Sequence, residues 1–408
     1  MLKHIAIIGA SSAGLSAAER LARAGHRVSV YDEHVDLAPA RRTLIVTPRL
    51  AEFVQPLPQE AIVHEVNSML LTSSRAQVRV QLAQSDLIVE RRALLEAFAR
   101  RAQEAGVALR LGYRLLSVEP HPEGACLILS GPHEGAAERI VAQAVIGADG
   151  IYSQVARLAT IPAPLATPVL QAEVILPSAW DSRVVQVWFQ DEDTPYFYWL
   201  IPESERRGVL GLVGLPCQDL LAVLQHFMTR QGFTPLSFQG GPVALHHPRL
   251  RPWGHIGRAR VLLVGDAAGQ VKNTTVGGTV TGLWGARAAA DALIQDIPYH
   301  RTLRPLKREL DLHWFIRCAL NGLRNRDYDA LLAALNPMLQ RFLATHNRDQ
   351  MAFAFLQALA LKPGLIPLGL SGLLRASFAS KRLSSHTIAH RIHLAKDSLA
   401  ADTHRNEL

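Results

Sequence analysis

Cysteine is scarce in this chain. Three residues, Cys126, Cys217 and Cys318, are scattered over 408 positions, with no CxxC pair and no even framework for disulfides to close. A reducing, cytosolic setting is therefore expected. No secretory leader is expected, since strand-like residues begin at His4. Charge is thin, with 19% Asp, Glu, Lys and Arg against 49% apolar residues, which excludes a disordered chain. Aromatic residues make up 6% and do not stud a basic patch, so nucleic acid is not expected as a partner. Neither a Ser-His-Asp grouping nor a pair of catalytic carboxylates can be read.

An unbroken membrane span is lacking too. Residues 352–374 are apolar apart from Gln357, Lys362 and a few small polar residues, and the stretch is long enough to cross a bilayer. Lys362-Pro363-Gly364 and Pro367 break it in the middle. Three readings stay open: a packed helical pair, the wall of an apolar substrate tunnel, or a peripheral, monotopic membrane contact through the C-terminal region. Further on, His386, His390 and His393 share a helical face. No carboxylate or cysteine completes a site there, so a solvated basic tail is expected and no metal.

What is present begins at residue 4. His4-Ile5-Ala6-Ile7-Ile8 reads as a short buried strand, followed by Gly9-Ala10-Ser11-Ser12-Ala13-Gly14, then a helix from Leu15 to Ala24 that stops at Gly25. A second strand, Arg27 to Tyr31, ends in Asp32-Glu33. Strand, glycine turn, helix and second strand, with an acid 18 residues after Gly14, form the fingerprint of a dinucleotide site. The glycines let the backbone approach a pyrophosphate, the helix N-terminus favours its charge, and the acid suits a ribose hydroxyl. Ser11 stands where a second glycine is usual.

A second glycine-rich turn lies far downstream. Val261 to Val264 reads as a strand and 279–296 as a helix, joined through Gly265-Asp266-Ala267-Ala268-Gly269 and Lys272-Asn273-Thr274-Thr275-Val276-Gly277-Gly278. Backbone N–H groups at such a helix start favour a phosphate or a reduced flavin ring, and Asp266 is placed to accept hydrogen bonds from sugar-like hydroxyls. Between the two turns, Ile88-Val89-Glu90-Arg91 precedes an amphipathic helix, Ala93 to Glu104. Ile146-Gly147-Ala148-Asp149-Gly150, with Ser153 and Arg157, ends another strand.

In series, these elements resemble the glutathione-reductase-type flavoproteins of the p-hydroxybenzoate hydroxylase fold, over roughly residues 4–300. Within that fold the chain is most similar to the geranylgeranyl reductase family. Gly265 to Gly278 is close to that family's Gly-Asp-Ala-Ala-Gly…Lys-Pro-Thr-Thr-Gly-Gly-Gly. Phe197-Tyr198-Trp199-Leu200-Ile201-Pro202 with Gly211-Leu212-Val213-Gly214 is similar to its aromatic-x-Trp-x-Phe-Pro…Gly-x-Gly motif. Glu60-Ala61-Ile62-Val63-His64-Glu65-Val66 through Arg91 keeps its spacing. The resemblance implies non-covalent FAD, with its pyrophosphate at Gly9, Ser11, Ser12, Ala13 and Gly14 and its adenosine ribose at Asp32 and Glu33. Arg42, Arg91, Asp149, Gly265, Asp266, Gly277 and Gly278 complete the expected cofactor site. Phe197, Tyr198 and Trp199 are candidate walls of a substrate pocket, and a catalytic side chain cannot be named.

Three departures fall near the flavin: Asn273 for Pro, Val276 for Gly, and Arg42-Thr43-Leu44-Ile45-Val46-Thr47-Pro48 where Cys-Gly-Gly is expected. The implied fold is α/β: a Rossmann-like FAD-binding domain (residues 1–68, 87–163 and 253–300), interwoven with a mixed-sheet substrate domain (69–86 and 164–252), and a C-terminal helical region (301–408). The implied activity is an FAD-dependent oxidoreductase passing hydride from reduced FAD to a C=C bond of a small apolar, isoprenoid substrate. Basic residues are expected at the pocket mouth for a polar head. NAD(P)H or a protein electron donor is the expected transient reductant, because no second dinucleotide fingerprint exists. The alternatives are an FAD monooxygenase using O2 and NAD(P)H, a flavin-dependent halogenase suggested by Phe197-x-Trp199-x-Ile201-Pro202, and a non-catalytic flavin-binding protein. A net charge of +8 suits FAD and NADPH phosphates, a prenyl diphosphate or an anionic membrane surface.

Overall fold

The computed structural model describes residues 3–38, 42–132, 137–345, 348–349, 357 and 362–377. The face carrying His386, His390 and His393 and much of 352–374 lie outside the described residues.

Six strands form the first sheet, in the order Trp253–Ile256, Ala259–Leu263, Ala144–Gly147, His4–Ile8, Arg27–Asp32, Ala108–Leu111. All neighbours run parallel except the edge strand Trp253–Ile256. Parallel strands are buried on both faces and so read as continuous apolar runs. His4–Ile8 illustrates this: Ile5 and Ile7 enter one core, Ala6 and Ile8 the other. The first core is covered by the helices Ser12–Arg23, Arg91–Glu104, Thr279–Ile294 and Tyr299–Leu320. The second is closed by a small antiparallel sheet, Arg114–His121, Gly124–Ser130 and Glu138–Ala142.

The second large sheet has eight strands: Thr234–Leu245, Leu165–Ile175, Arg207–Val213, Tyr198–Pro202, Val184–Trp188, Ile62–Thr72, Gln77–Glu90 and Thr43–Val46. It is antiparallel except where Val184–Trp188 pairs with Ile62–Thr72. The helix Leu220–Gln231 packs on one face, and the other face looks toward the first sheet. Residues 43–46, 62–68 and 87–90, which the sequence groups with the FAD-binding segments, hydrogen bond in this sheet. The register runs on through Ser68 opposite Gln81 and Met69 opposite Val80, so the long hairpin belongs to one sheet throughout.

Beyond the sheets the chain is helical: Tyr299–Leu320, Asn325–Ala333, Pro337–Thr345 and residues 365–377. Among the described residues, no helix is long and apolar enough to cross a membrane.

Candidate flavin and substrate site

The N-terminal glycine turn is built by contact. Gly9 has φ +105°, and a Cβ there would lie 2.3 Å from the Ala148 carbonyl oxygen; one on Gly14 would lie 2.2 Å from the oxygen of Gly9. Neither position tolerates a side chain. Ser11 fits because it caps the helix, its Oγ accepting from the Gly14 N–H at 3.2 Å. The Asp32 carboxylate reaches back to this turn, accepting from Ala10 N at 2.7 Å and from His34 N at 2.9 Å. Glu33 is exposed and pairs with Arg114 at 3.6 Å.

The downstream turn faces it across the sheet ends. Gly265 and Gly269 both have φ +63°, and between them Asp266 is half-buried on the cavity wall. Burial pushes its carboxyl above the usual range, against the pull of the nearby Arg42 and Arg91 guanidiniums. Arg42 is itself held down by burial and by Arg91, while Arg91 N donates to the Arg42 carbonyl at 2.8 Å. Gly278 packs so that a Cβ would stand 3.3 Å from Asp266 Oδ1, and the Lys272 N–H donates to the Gly277 carbonyl at 3.2 Å to close the loop. Asp149 accepts from Ser153 Oγ at 2.6 Å and Val155 N at 3.1 Å, and burial raises its carboxyl.

One cavity of about 890 Å³ joins these parts. Gly9, Ser11, Ser12, Ala13, Asp32, Glu33, Arg42, Arg91, Asp149, Gly265, Asp266, Gly277 and Gly278 all line it, whereas Gly14 sits just behind as a packing residue. Its far half has an apolar wall of Leu71, Val187, Phe189, Phe197, Trp199 and Ile201.

Tyr198 is not part of that wall. Side chains alternate across a strand, so Phe197 and Trp199 face the cavity while Tyr198 faces the Leu220–Gln231 helix. There it stacks on Phe227, with ring centroids 3.9 Å apart, and donates to Asp193 at 2.9 Å. The glycine that follows in the motif has a steric reason. Gly211 pairs across from Trp199, and a Cβ on it would lie 2.3 Å from the indole.

Two departures from the family pattern are also resolved. Asn273 makes reciprocal hydrogen bonds with the His246 backbone, accepting from its N–H at 2.8 Å and donating to its carbonyl at 2.9 Å; a proline could make neither. Val276 holds φ +53°, an uncommon region for a β-branched residue, and joins Phe197 and Trp199 in packing against Val169, Tyr196 and Val213.

Sequence reasoning missed several polar groups in the substrate half. Lys272 forms a buried ion pair with Asp349, which also accepts from Thr47 Oγ1. Burial opposes the Asp349 charge, but the ammonium outweighs it and holds the carboxyl below its usual range. Arg348 pairs with Asp86 at 2.5 Å. Thr274 Oγ1 lies 2.6 Å from Nδ1 of His313, an imidazole whose pKa burial lowers. Glu309, His313 and Arg317 recur every four residues on the Tyr299–Leu320 helix. That spacing was the available signal, since ionisable residues repeating on one face of a helix with apolar neighbours serve a buried polar purpose.

A family model described as an FAD binding domain matches residues 3–298. The chain belongs to this FAD-binding family. Curated relatives include digeranylgeranylglycerophospholipid reductase 2 of Methanothermobacter thermautotrophicus, 28% identical over 82% of this chain and 92% of the relative. Geranylgeranyl diphosphate reductase of Synechocystis sp. is 26% identical over 76% and 81%. Among solved structures, a geranylgeranyl bacteriochlorophyll reductase-like protein of Thermoplasma acidophilum aligns with a TM-score of 0.74 at 18% identity, covering 90% of this chain and all of the other. The site fits the cofactor that membership brings: two cations beside a half-buried carboxylate, close-packed glycines, and a helix N-terminus opening on the same cavity.

Proposed function

We propose that this FAD-dependent oxidoreductase reduces a C=C bond of an apolar isoprenoid substrate. The observation that carries the reading is the continuity of the cavity, from the glycine turns to an apolar wall centred on Phe197 and Trp199. Bound and reduced, FAD supplies hydride, and the protein supplies position, access and electrostatics. In this reading Gly9–Gly14 hold the pyrophosphate, Asp32 and Glu33 the adenosine ribose, and Asp266 with Arg42 and Arg91 the ribityl side. The apolar wall aligns the alkene and excludes water. The reductase names of the relatives support this chemistry over oxygen insertion. Without a second dinucleotide fingerprint, NAD(P)H or a protein donor acts transiently. Ile366, Leu370 and Leu374, exposed at four-residue spacing in the 365–377 helix, support peripheral membrane contact as the route to a lipid substrate.

The test is product mass. Incubation of the FAD-loaded protein with geranylgeranyl compounds and dithionite under nitrogen should yield product heavier by two hydrogens. Product that forms only in air and gains one oxygen transfers the reading to a monooxygenase, and halide-dependent product transfers it to a halogenase.

A further inference from the structure

One cation in the substrate half has no counter-charge. Arg317 lies on the buried face of the Tyr299–Leu320 helix, is 3% exposed, and lines the cavity near Phe189 and Leu320. The other basic groups of the cavity face acids: Lys272 with Asp349, Arg348 with Asp86, Arg114 with Glu33, and Arg42 and Arg91 with Asp266. The surroundings of Arg317 are neutral. Its Nη2 donates to the Pro195 carbonyl at 3.1 Å, its guanidinium stands 4.8 Å from the Tyr196 ring centroid, and the Tyr328 phenol lies beside it. Nε is buried with no hydrogen-bond partner, and among the described residues no carboxylate comes within ion-pair distance.

A guanidinium stays charged and presents five donors in a planar fork. Leaving it buried and unpaired is costly, and the fork matches two oxygens of one oxyanion. A carbonyl and a ring face satisfy only part of it. The position is also informative. His313, one turn earlier, touches Thr274 of the glycine loop, so Arg317 lies about 6 Å further along the helix axis. The charge therefore waits inside the cavity, not at a surface mouth as the sequence suggested.

We propose that Arg317 anchors the phosphate or diphosphate head of an isoprenoid substrate inside the cavity, and thereby sets a preference for charged over neutral isoprenoids. This rests on the isoprenoid reading above and adds the residue and the orientation to it.

The experiment titrates oxidised, FAD-loaded enzyme with geranylgeranyl diphosphate, geranylgeranyl monophosphate, neutral geranylgeraniol and inorganic pyrophosphate, reading the flavin absorbance and the heat of binding. Wild type should bind the phosphorylated compounds at least roughly tenfold more tightly than the alcohol, as one charge-assisted contact allows. R317Q should erase that preference while keeping FAD content and alcohol affinity, and R317K should keep part of it. Equal binding of alcohol and diphosphate by wild type overturns the anchor but leaves the isoprenoid reading standing. So does R317Q weakening both alike, which would mark Arg317 as structural. Pyrophosphate binding as tightly as the prenyl ester would assign the site to a free anion and overturn the lipid head. Binding of no isoprenoid at all overturns the reading and the anchor together.

Discussion

At the scale of single residues, the cofactor half of the site trades stability for binding. Desolvation raises the Asp266 carboxyl, so the folded protein holds that proton more tightly than the unfolded chain does. Its contribution to stability is full below the ordinary Asp value, near pH 3.9, and is lost as pH rises through the raised native value. Asp266→Asn should therefore melt at a higher temperature than wild type at neutral pH when both are stripped of FAD. The advantage should shrink as pH falls through the raised value and vanish near pH 4. The same variant should bind FAD more weakly by about 1.5–3 kcal/mol, the cost of losing charged hydrogen bonds. Melting curves against pH and an FAD titration check both halves, and an unchanged FAD affinity would remove Asp266 from the ribityl site. The Asp32 carboxylate braces the first turn by accepting from the Ala10 N–H.

At the scale of elements, the glycine loop is held by side chains from neighbouring segments. Asn273 ties it to His246 through two backbone hydrogen bonds, and both groups are buried. Asn273→Ala should destabilise the protein by about 1–3 kcal/mol, because the His246 N–H and carbonyl are left without partners. Denaturant unfolding of the FAD-free protein measures it, and a change below about 0.5 kcal/mol, the size of a neutral surface substitution, would make the pair dispensable. The motif strand Tyr198–Pro202 shows a similar division of labour. Trp199 faces the cavity because Gly211 leaves room for the indole, and Tyr198 is spent on the Leu220–Gln231 helix.

At the scale of the whole molecule, the Lys272–Asp349 pair joins the glycine loop to a segment far along the chain, with Thr47 of a third segment as a partner. Removing one charge should cost about 3–5 kcal/mol, because the other is stranded in the interior. Lys272→Met together with Asp349→Leu should recover most of that loss, since an apolar pair of similar volume removes both desolvation penalties. Chemical denaturation of the two single variants and the double variant tests the coupling. Additive losses would show that the pair does not act as a unit.

Local signals determined much of this protein. Glycine turns, strand runs and acid spacing are short-range patterns, so the sequence alone carried the two glycine-rich turns, the α/β class and the FAD-binding family. Arg42 was legible only as a weakly placed candidate, because its partners Arg91 and Asp266 are distant in sequence. Tyr198 was misread as a pocket wall because a motif shows spacing but not which face of a strand meets the cavity. The implied domains divide the hairpin Ile62–Thr72 and Gln77–Glu90, whose hydrogen-bond pairing runs through the division. Only the tertiary structure decided that Lys272, Asp349 and Arg317 converge on one cavity, with His313 behind Thr274. Lys272 is partnered by Asp349, 77 residues away, and Asp86 by Arg348, 262 residues away, and a one-dimensional pattern holds no record of such pairings.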